Sequence, residues 1–413
     1  MKIPQLDPDS PVSPPSSRRP FHILYLTAFC SMLGVGIIVP FLPNYAKTVG
    51  AQSYFFIGLI FGSMNVSRLI FLPIMRREAQ WGRRKKRTIL QEGLAFYCFI
   101  SMAYLFSANP FTLMTVRFFN GLAASMVLPV SMAIVGELTP KMGEGKEMGD
   151  FQLAMMSGFG IGPLLGGLLD DALGYWSAFT AMGLLNLTAL LLVKFFLPDA
   201  ESSITLPSPS KRKHEYRKAL ANPVVLGVLI FRFINAVGRG SSFSFIPLLA
   251  TDPRYLSLSH TQIGLIICSI ALLAGGLGPV FGRLADKFSR VKLVIIGSTG
   301  FTICMLAMPH CPGFYSLFAI ALFSGVFGAV ALPASAAITV VEGRSYGMIT
   351  MMVMFDMAMS LGQFLGPPLG GLVGDKYNLA VTFYFSGFLS LIGTLIFYLL
   401  LRNTDANRKV MET

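Results

Sequence analysis

Four arginines fall inside strongly apolar stretches of this chain: Arg68, Arg117, Arg232 and Arg239. An ionised side chain near the centre of a bilayer costs at least about 2.5–3.5 kcal/mol on insertion scales, so each must face protein or water. Arg232 and Arg239 are seven residues apart, two turns of a helix, and therefore share one face. Guanidinium groups presented together suit a carboxylate or a phosphate. Arg117, with Asn120 one turn on, can serve a polar substrate group or the freed carbonyls of a kinked neighbouring helix. Asp356 is the acid placed deepest in an apolar stretch, whereas Glu92 falls near the end of one and Lys194 can snorkel to the surface. Arg68 and Asp356 lie at matching depths and carry opposite charge. Each would be costly left alone there, so a pairing between them is one expectation. The competing partner for Asp356 is Arg232. The methionines from Met348 to Met359 suit soft-metal ligation, but only Met352 and Met359 share a face with Asp356, and pliable packing is the reading kept. No phosphate-cradling loop, metal-ligand spacing or nucleophile–base pair is present, so neither an enzyme nor a metal centre is expected.

The elements that hold these charges are membrane helices. The 413 residues are 54% hydrophobic and 13% charged, far too apolar for a soluble protein of this length. Twelve segments can span a bilayer: 22–45, 55–75, 88–106, 111–135, 150–169, 176–197, 223–250, 261–281, 293–309, 313–341, 346–373 and 378–401. The fifth carries Gly158, Gly162 and Gly166 at four-residue spacing with Pro163 among them, a smooth stripe with a bend. The eleventh repeats it 204 residues later as Gly362, Gly366, Pro367 and Gly370. The same displacement maps Gly34, Gly36, Pro43, Gly121 and Pro129 onto Gly238, Gly240, Pro247, Gly325 and Pro333. The chain is therefore a tandem duplication. Its glycine stripes are expected where the two halves meet, and the Gly34–Pro43 segment is expected to kink.

The division that follows is a disordered N-terminus (1–20), a six-helix bundle (21–197), a basic linker (198–222), a second bundle (223–401) and a tail (402–413). The net charge of +13 reports topology rather than a nucleic-acid partner. With both termini inside, inner segments hold 25 of the 33 Lys and Arg, and outer loops hold only Lys47, Arg254 and Lys376. The five cysteines are scattered without a disulfide framework. Arg18-Arg19 superficially matches an export signal, but no cleavage site follows, and anchoring of the first span is the expected role.

These features resemble the major facilitator superfamily over essentially the whole chain. Gly282, Leu284, Ala285, Asp286, Lys287 and Arg290 look like that family's loop motif between the second and third helix of a half. The first-half copy keeps Gly82-Arg83-Arg84 but has Ala79 in place of the aspartate and Met75 in place of the first glycine. Arg117, Asn120, Gly121 and Ala124 look like the fourth-helix motif, and Gly158–Gly167 resembles the fifth-helix motif of the twelve-helix drug:proton antiporter branch.

The resemblance implies an all-α fold of twelve transmembrane helices in two six-helix bundles. It implies a cavity lined by spans 1, 4, 7 and 10, and contacts between halves from spans 2, 5, 8 and 11. Arg117, Asn120, Arg232 and Arg239 become the substrate-cavity candidates, and Arg68, Asp356, Asp286, Lys287 and Arg290 the coupling and gating candidates. The second and eleventh helices face each other across the halves in that family. Arg68 and Asp356 are therefore expected to pair when the cytoplasmic side is closed and to part when it opens, with protonation of Asp356 favouring opening. The expected function is alternating-access transport of a small solute, with proton-driven drug efflux first. The first span lacks an acid and the interior is rich in arginine, which favours the alternative of an anionic or zwitterionic solute. A transport-inactive sensor or scaffold of the same fold is a further alternative. A monomer in the cell membrane (bacterial inner membrane) is expected, with a proton gradient rather than a bound cofactor as its energy source. The topology has a direct check: Ser208→Cys and Ser53→Cys label with an impermeant maleimide from opposite sides of the membrane. Labelling from one side contradicts twelve spans.

Overall fold

A computed structural model describes residues 18–81, 86–139, 144–198, 219–346 and 348–402. The described residues form helices and no strand. In the first half these are α1 (Arg19–Ile37), α2 (Leu42–Thr48), α3 (Tyr54–Trp81), α4 (Lys86–Leu105), α5 (Pro110–Leu138), α6 (Glu144–Leu173) and α7 (Tyr175–Phe196). The second half comprises α8 (Pro223–Thr251), α9 (His260–Gly276), α10 (Gly278–Lys287), α11 (Arg290–Ala307), α12 (Phe314–Tyr346), α13 (Met348–Lys376) and α14 (Leu379–Arg402). Eleven segments among the described residues are long and apolar enough to cross a membrane. The twelfth member of the arrangement is α13, the duplicate of α6. The expected linker falls largely outside the described residues.

Proline chemistry decides where the spans break. Pro40 and Pro43 each lack an N–H, and the first span is interrupted between α1 and α2. The duplicate, α8, contains Pro247 but has Ser244 where the first half has Pro40, and it runs unbroken through 29 residues. One proline is absorbed; two, three residues apart, are not. The eighth span, read from the sequence as continuous over 261–281, is two helices. Pro279 cannot donate to Gly275 and its ring crowds that carbonyl, so α9 ends at Gly276 and α10 starts at Gly278.

The duplication is visible in the packing. In the first half α1 lies against α6 and α7, and in the second α8 lies against α13 and α14. Each half also buries one serine–asparagine hydrogen bond. Ser31 donates to Asn186 at 3.2 Å and Ser390 donates to Asn235 at 2.8 Å. Ser31 and Asn235 are duplicate positions, as are Asn186 and Ser390, so the pair has exchanged its ends. A buried amide left alone is costly, which ties the two substitutions together.

The glycine stripes do two jobs on two faces. Gly158, Gly162 and Gly166 sit on the backbone of α1, where a methyl on Gly166 would land on the Ile37 carbonyl. Gly362, Gly366 and Gly370 sit likewise on α8. The stripes themselves therefore pack inside each half, although their helices do lie where the halves meet. The cross-half contacts use the neighbouring residues. Gly264 of α9 abuts the Pro163 carbonyl, and Gly58 of α3 abuts the Pro367 carbonyl. Gly167 faces His260 and Thr261, and Gly371 faces Tyr54. Pro367 also leaves the Gln363 carbonyl without its helical partner, and Asn65 of α3 donates to it at 3.4 Å. Gly166→Val overpacks this backbone contact, costing about 1–3 kcal/mol. Gly149→Ala, with nothing among the described residues within 4 Å of the added methyl, is neutral or slightly stabilising. Thermal unfolding in detergent separates the two, and equal melting temperatures contradict the packing.

Candidate functional site

The central polar wall of the second half is built on α8. Its arginines fall on one face, and each guanidinium lies over an aromatic ring. Arg232 is 4.4 Å from the centroid of Phe355 on α13, and Arg239 is 4.3 Å from that of Phe301 on α11. Such cation–π contacts supply attraction without neutralising the charge. Arg232 also donates to the Met359 sulfur at 2.7 Å. Gly328 of α12 leaves room beside Arg239, whose Nη1 would sit 3.4 Å from an added methyl. The Nε atoms of both arginines are buried with no hydrogen-bond partner among the described residues. Asp356 is the acid whose field acts on Arg232. The wall is aromatic, half-buried and electropositive, with guanidinium donors to spare.

The fourth-span residues point elsewhere. Arg117 is 4% exposed, inside the first bundle, with its guanidinium 5.7 Å over Phe61 of α3. Tyr97 and Tyr104 of α4 stand close to it. Asn120 is fully buried, and neither of its amide atoms has a partner among the described residues. The structure therefore buries Arg117 on α5 against α3 and α4, with Asn120 buried one turn further along α5. It does not bring them to the arginines of α8.

Arg68 is half-buried on α3 and Asp356 half-buried on α13. No ion pair joins them among the described residues. The antiparallel register set by Gly58 on Pro367 and Asn65 on Gln363 continues to put Arg68 within about one turn of Asp356. In the loop motif Arg290 donates to the Ala285 carbonyl at 3.2 Å and Lys287 closes α10. Of the loop motif, the Asp286 side chain, the side chains from Met75 to Trp81 and all of residues 82–85 lie outside the described residues.

Sequence reasoning missed the end of the molecule opposite the two termini, called distal here. Two carboxylates there cap helices of the other half. Asp375, at the end of α13, accepts from the Tyr54 and Phe55 amides at 2.7 and 2.9 Å and from the Ser53 hydroxyl at 2.5 Å. Asp171, at the end of α6, accepts from the His260 and Thr261 amides at 3.1 and 2.7 Å. A carboxylate at a helix N-terminus satisfies free amides and meets the positive end of the dipole. Asp171 and Asp375 are again 204 residues apart, the signal by which the sequence shows them. Beside them Lys47 faces Asp252 across the halves, and burial lowers the Lys47 pKa against the pull of that carboxylate. Asp252 is itself held below the usual carboxylate range by its hydrogen bonds from Arg254. Asp170, Asp171 and His260 also bring three ligand-type atoms within 4.8 Å of one another, and hydrogen bonds occupy them.

A duplicated bundle with a polar wall and capped distal contacts matches known proteins along its length. The family model described as Major Facilitator Superfamily matches residues 24–253 and again 228–411, once per half. The chain belongs to the Major Facilitator Superfamily. It is a multi-pass membrane transporter working by secondary transport, and not an enzyme. Multidrug resistance protein 2 of Bacillus subtilis is 25% identical over 380 residues, covering 90% of this chain and 93% of that one. Quinolone resistance protein NorA of Staphylococcus aureus is 22% identical over 386 residues, covering 92% and 95%. Among solved structures, a bacterial homologue of the human lysosomal transporter Spinster, inward-facing and occupied, superposes with a TM-score of 0.81. Its identity is 14%, covering 95% of this chain and 99% of that chain.

The buried position of Arg117 carries its own prediction. Arg117→Lys keeps the charge but not the planar contact with Phe61, and melting falls, by about 1 kcal/mol or more. An unchanged melting curve contradicts a packed role.

Proposed function

We propose that this superfamily transporter exports amphipathic aromatic compounds bearing a carboxylate, including zwitterions, in exchange for protons. The α8 wall carries the reading: two guanidinium groups on one face, each on an aromatic ring, opposed among the described residues by a single acid, Asp356. A carboxylate takes the spare arginine donors, and an aromatic body lies against Phe301, Phe355 and the pliable Met359. Charge-assisted bonds of this kind contribute about 1.5–3 kcal/mol each. The name of the NorA relative supports it, since a quinolone is an aromatic acid. The first span offers no carboxylate for a cationic drug.

The positive-inside bias supports placing the termini in the cytoplasm and the distal end outside. The distal caps then close the outer side, and the substrate reaches the wall from within. No energy source beyond a proton gradient is needed, and a monomer suffices, because both gating interfaces lie between halves of one chain. Arg68 and Asp356, at like depth on α3 and α13, act as the inner counterpart of the distal caps, pairing when the inner side closes.

Counterflow of a fluoroquinolone in proteoliposomes tests the reading. Arg239→Gln weakens fluoroquinolone binding about tenfold, the equivalent of ~1.4 kcal/mol, with melting temperature and yield retained. Transport of a lipophilic cation such as ethidium that survives both Arg232→Gln and Arg239→Gln, with no fluoroquinolone movement, overturns it.

A further inference from the structure

The distal closure is built twice on one plan, and the copies differ in one chemical respect. At the α13–α3 contact, the residue before the capping Asp375 is Gly374, which lies against the Tyr54 ring. At the α6–α9 contact, the residue before the capping Asp171 is Asp170, and His260 stands where Tyr54 stands in the first copy. A glycine and a phenol are thus replaced by a carboxylate and an imidazole.

The imidazole comes from the second half and is held at both ring nitrogens by the first. Its Nδ1 is 2.5 Å from Asp170 Oδ2 and 3.7 Å from Asp171 Oδ1, both at the end of α6. Its Nε2 is 2.8 Å from Asn44 Nδ2 on α2. Asn44 Oδ1 in turn faces the Thr251 hydroxyl at 3.2 Å, and that hydroxyl lies 2.9 Å from the Pro247 carbonyl. Asn44, Asp170 and Asp171 belong to the first half; His260 and Thr251 belong to the second.

This arrangement accepts either protonation state of the ring. With Nε2 bare, Asn44 donates to it and takes the threonine proton on its carbonyl oxygen. With Nε2 protonated, the Asn44 amide turns over to accept, its NH2 group donates to Thr251, and the threonine proton moves to the Pro247 carbonyl. Hydrogen bonding is complete both ways. What changes is charge. The Asp170 side chain is 5% exposed, and only a protonated His260 gives it a cation at contact.

The surroundings offer no substitute. From α7 comes the neutral Tyr175 ring, 6.5 Å from the imidazole. From α2 comes Lys47, which lies over Tyr54 at 5.3 Å. The α8–α9 segment brings Asp252 and Arg254, paired with each other at 2.7 Å. The first turns of α12 (314–324) contain no ionisable side chain but Tyr315, which points outward.

We propose that His260 is a proton-binding site, completed only when the two halves meet at the distal end, and that its protonation holds that end shut. When the halves separate, imidazole and carboxylate enter water and their attraction largely disappears. Proton uptake therefore favours the closed form, and by reciprocity closure favours proton uptake. The extra stabilisation of the closed end is therefore present in acid, where the ring carries both protons, and lost in alkali. With the distal end outside, an orientation that rests on the proposed function, external protons would return the emptied carrier to its inward-facing form.

Spin labels at Ala108→Cys and Tyr377→Cys, exposed distal positions in opposite halves, read the closure in the full-length protein with its native cysteines replaced. Between pH 8.5 and 5 the short-distance population of the parent rises, by up to about tenfold in closed-to-open ratio per pH unit for one linked proton. His260→Gln loses that slope, and Asp170→Asn flattens it. Asp375→Asn weakens closure equally at every pH and keeps the slope. His260→Tyr, which installs the residue of the other copy, melts normally and is pH-independent, which separates loss of the proton site from loss of the fold. A parent without pH dependence, or a His260 variant that retains it, overturns the proposal. None of these outcomes depends on the transported solute.

Discussion

Backbone lying on backbone across the two halves is the contact on which the rest of the structure depends. Gly264 receives the Pro163 carbonyl and Gly58 receives the Pro367 carbonyl, and no side chain intervenes at either point. In lipid there is little hydrophobic drive for helices to associate, so close dispersion contact and satisfied polar groups must hold them. Smooth surfaces of that kind attract strongly when seated, and they separate without unthreading interlocked side chains. The carboxylate caps at Asp171 and Asp375 add directional bonds at the rim, where water can compete as soon as the halves part.

Each proline serves both packing layers. Pro163 and Pro367 lie in helices, α6 and α13, that pack one face on the first helix of their own half and another on the opposite half. The carbonyl that Pro367 frees at Gln363 is taken up by Asn65 from across the contact. Bundle packing and closure are therefore mechanically joined: a helix cannot move at one interface without disturbing the other. That is the behaviour required of a rocking half.

Beneath this shared frame the halves have diverged in charge. The first buries Arg117 among Phe61, Tyr97 and Tyr104, inside its own bundle. The second turns Arg232 and Arg239 onto aromatic rings with Nε donors unused. The distal rim has diverged as well, with Asp170 and His260 on one side and Gly374 and Tyr54 on the other. Much of the architecture was legible in the residues. Glycine and proline restrict the backbone directly, so their repetition at 204 residues revealed the duplication, and apolar length revealed the spans. The face that each stripe used was not legible, because Gly158–Gly166 can pack equally well on a near or a far helix. The break at Leu277 hid behind unbroken apolarity. The His260 network was invisible because residues 44, 170 and 260 acquire meaning only once three helices meet. Arg117 carried a family motif, yet motif spacing does not tell which side of its helix faces the cavity.

The distal contacts, as the proposed outer gate, must open for transport. Gln52 and Lys376 flank the Ser53–Asp375 contact from opposite halves. Fluoroquinolone counterflow is measured in proteoliposomes with Gln52→Cys and Lys376→Cys joined by a short reducible bifunctional reagent. Cross-linking stops counterflow, reduction restores it, and either single cysteine variant treated alike is unaffected. Full-rate counterflow through the cross-linked protein would contradict that gate.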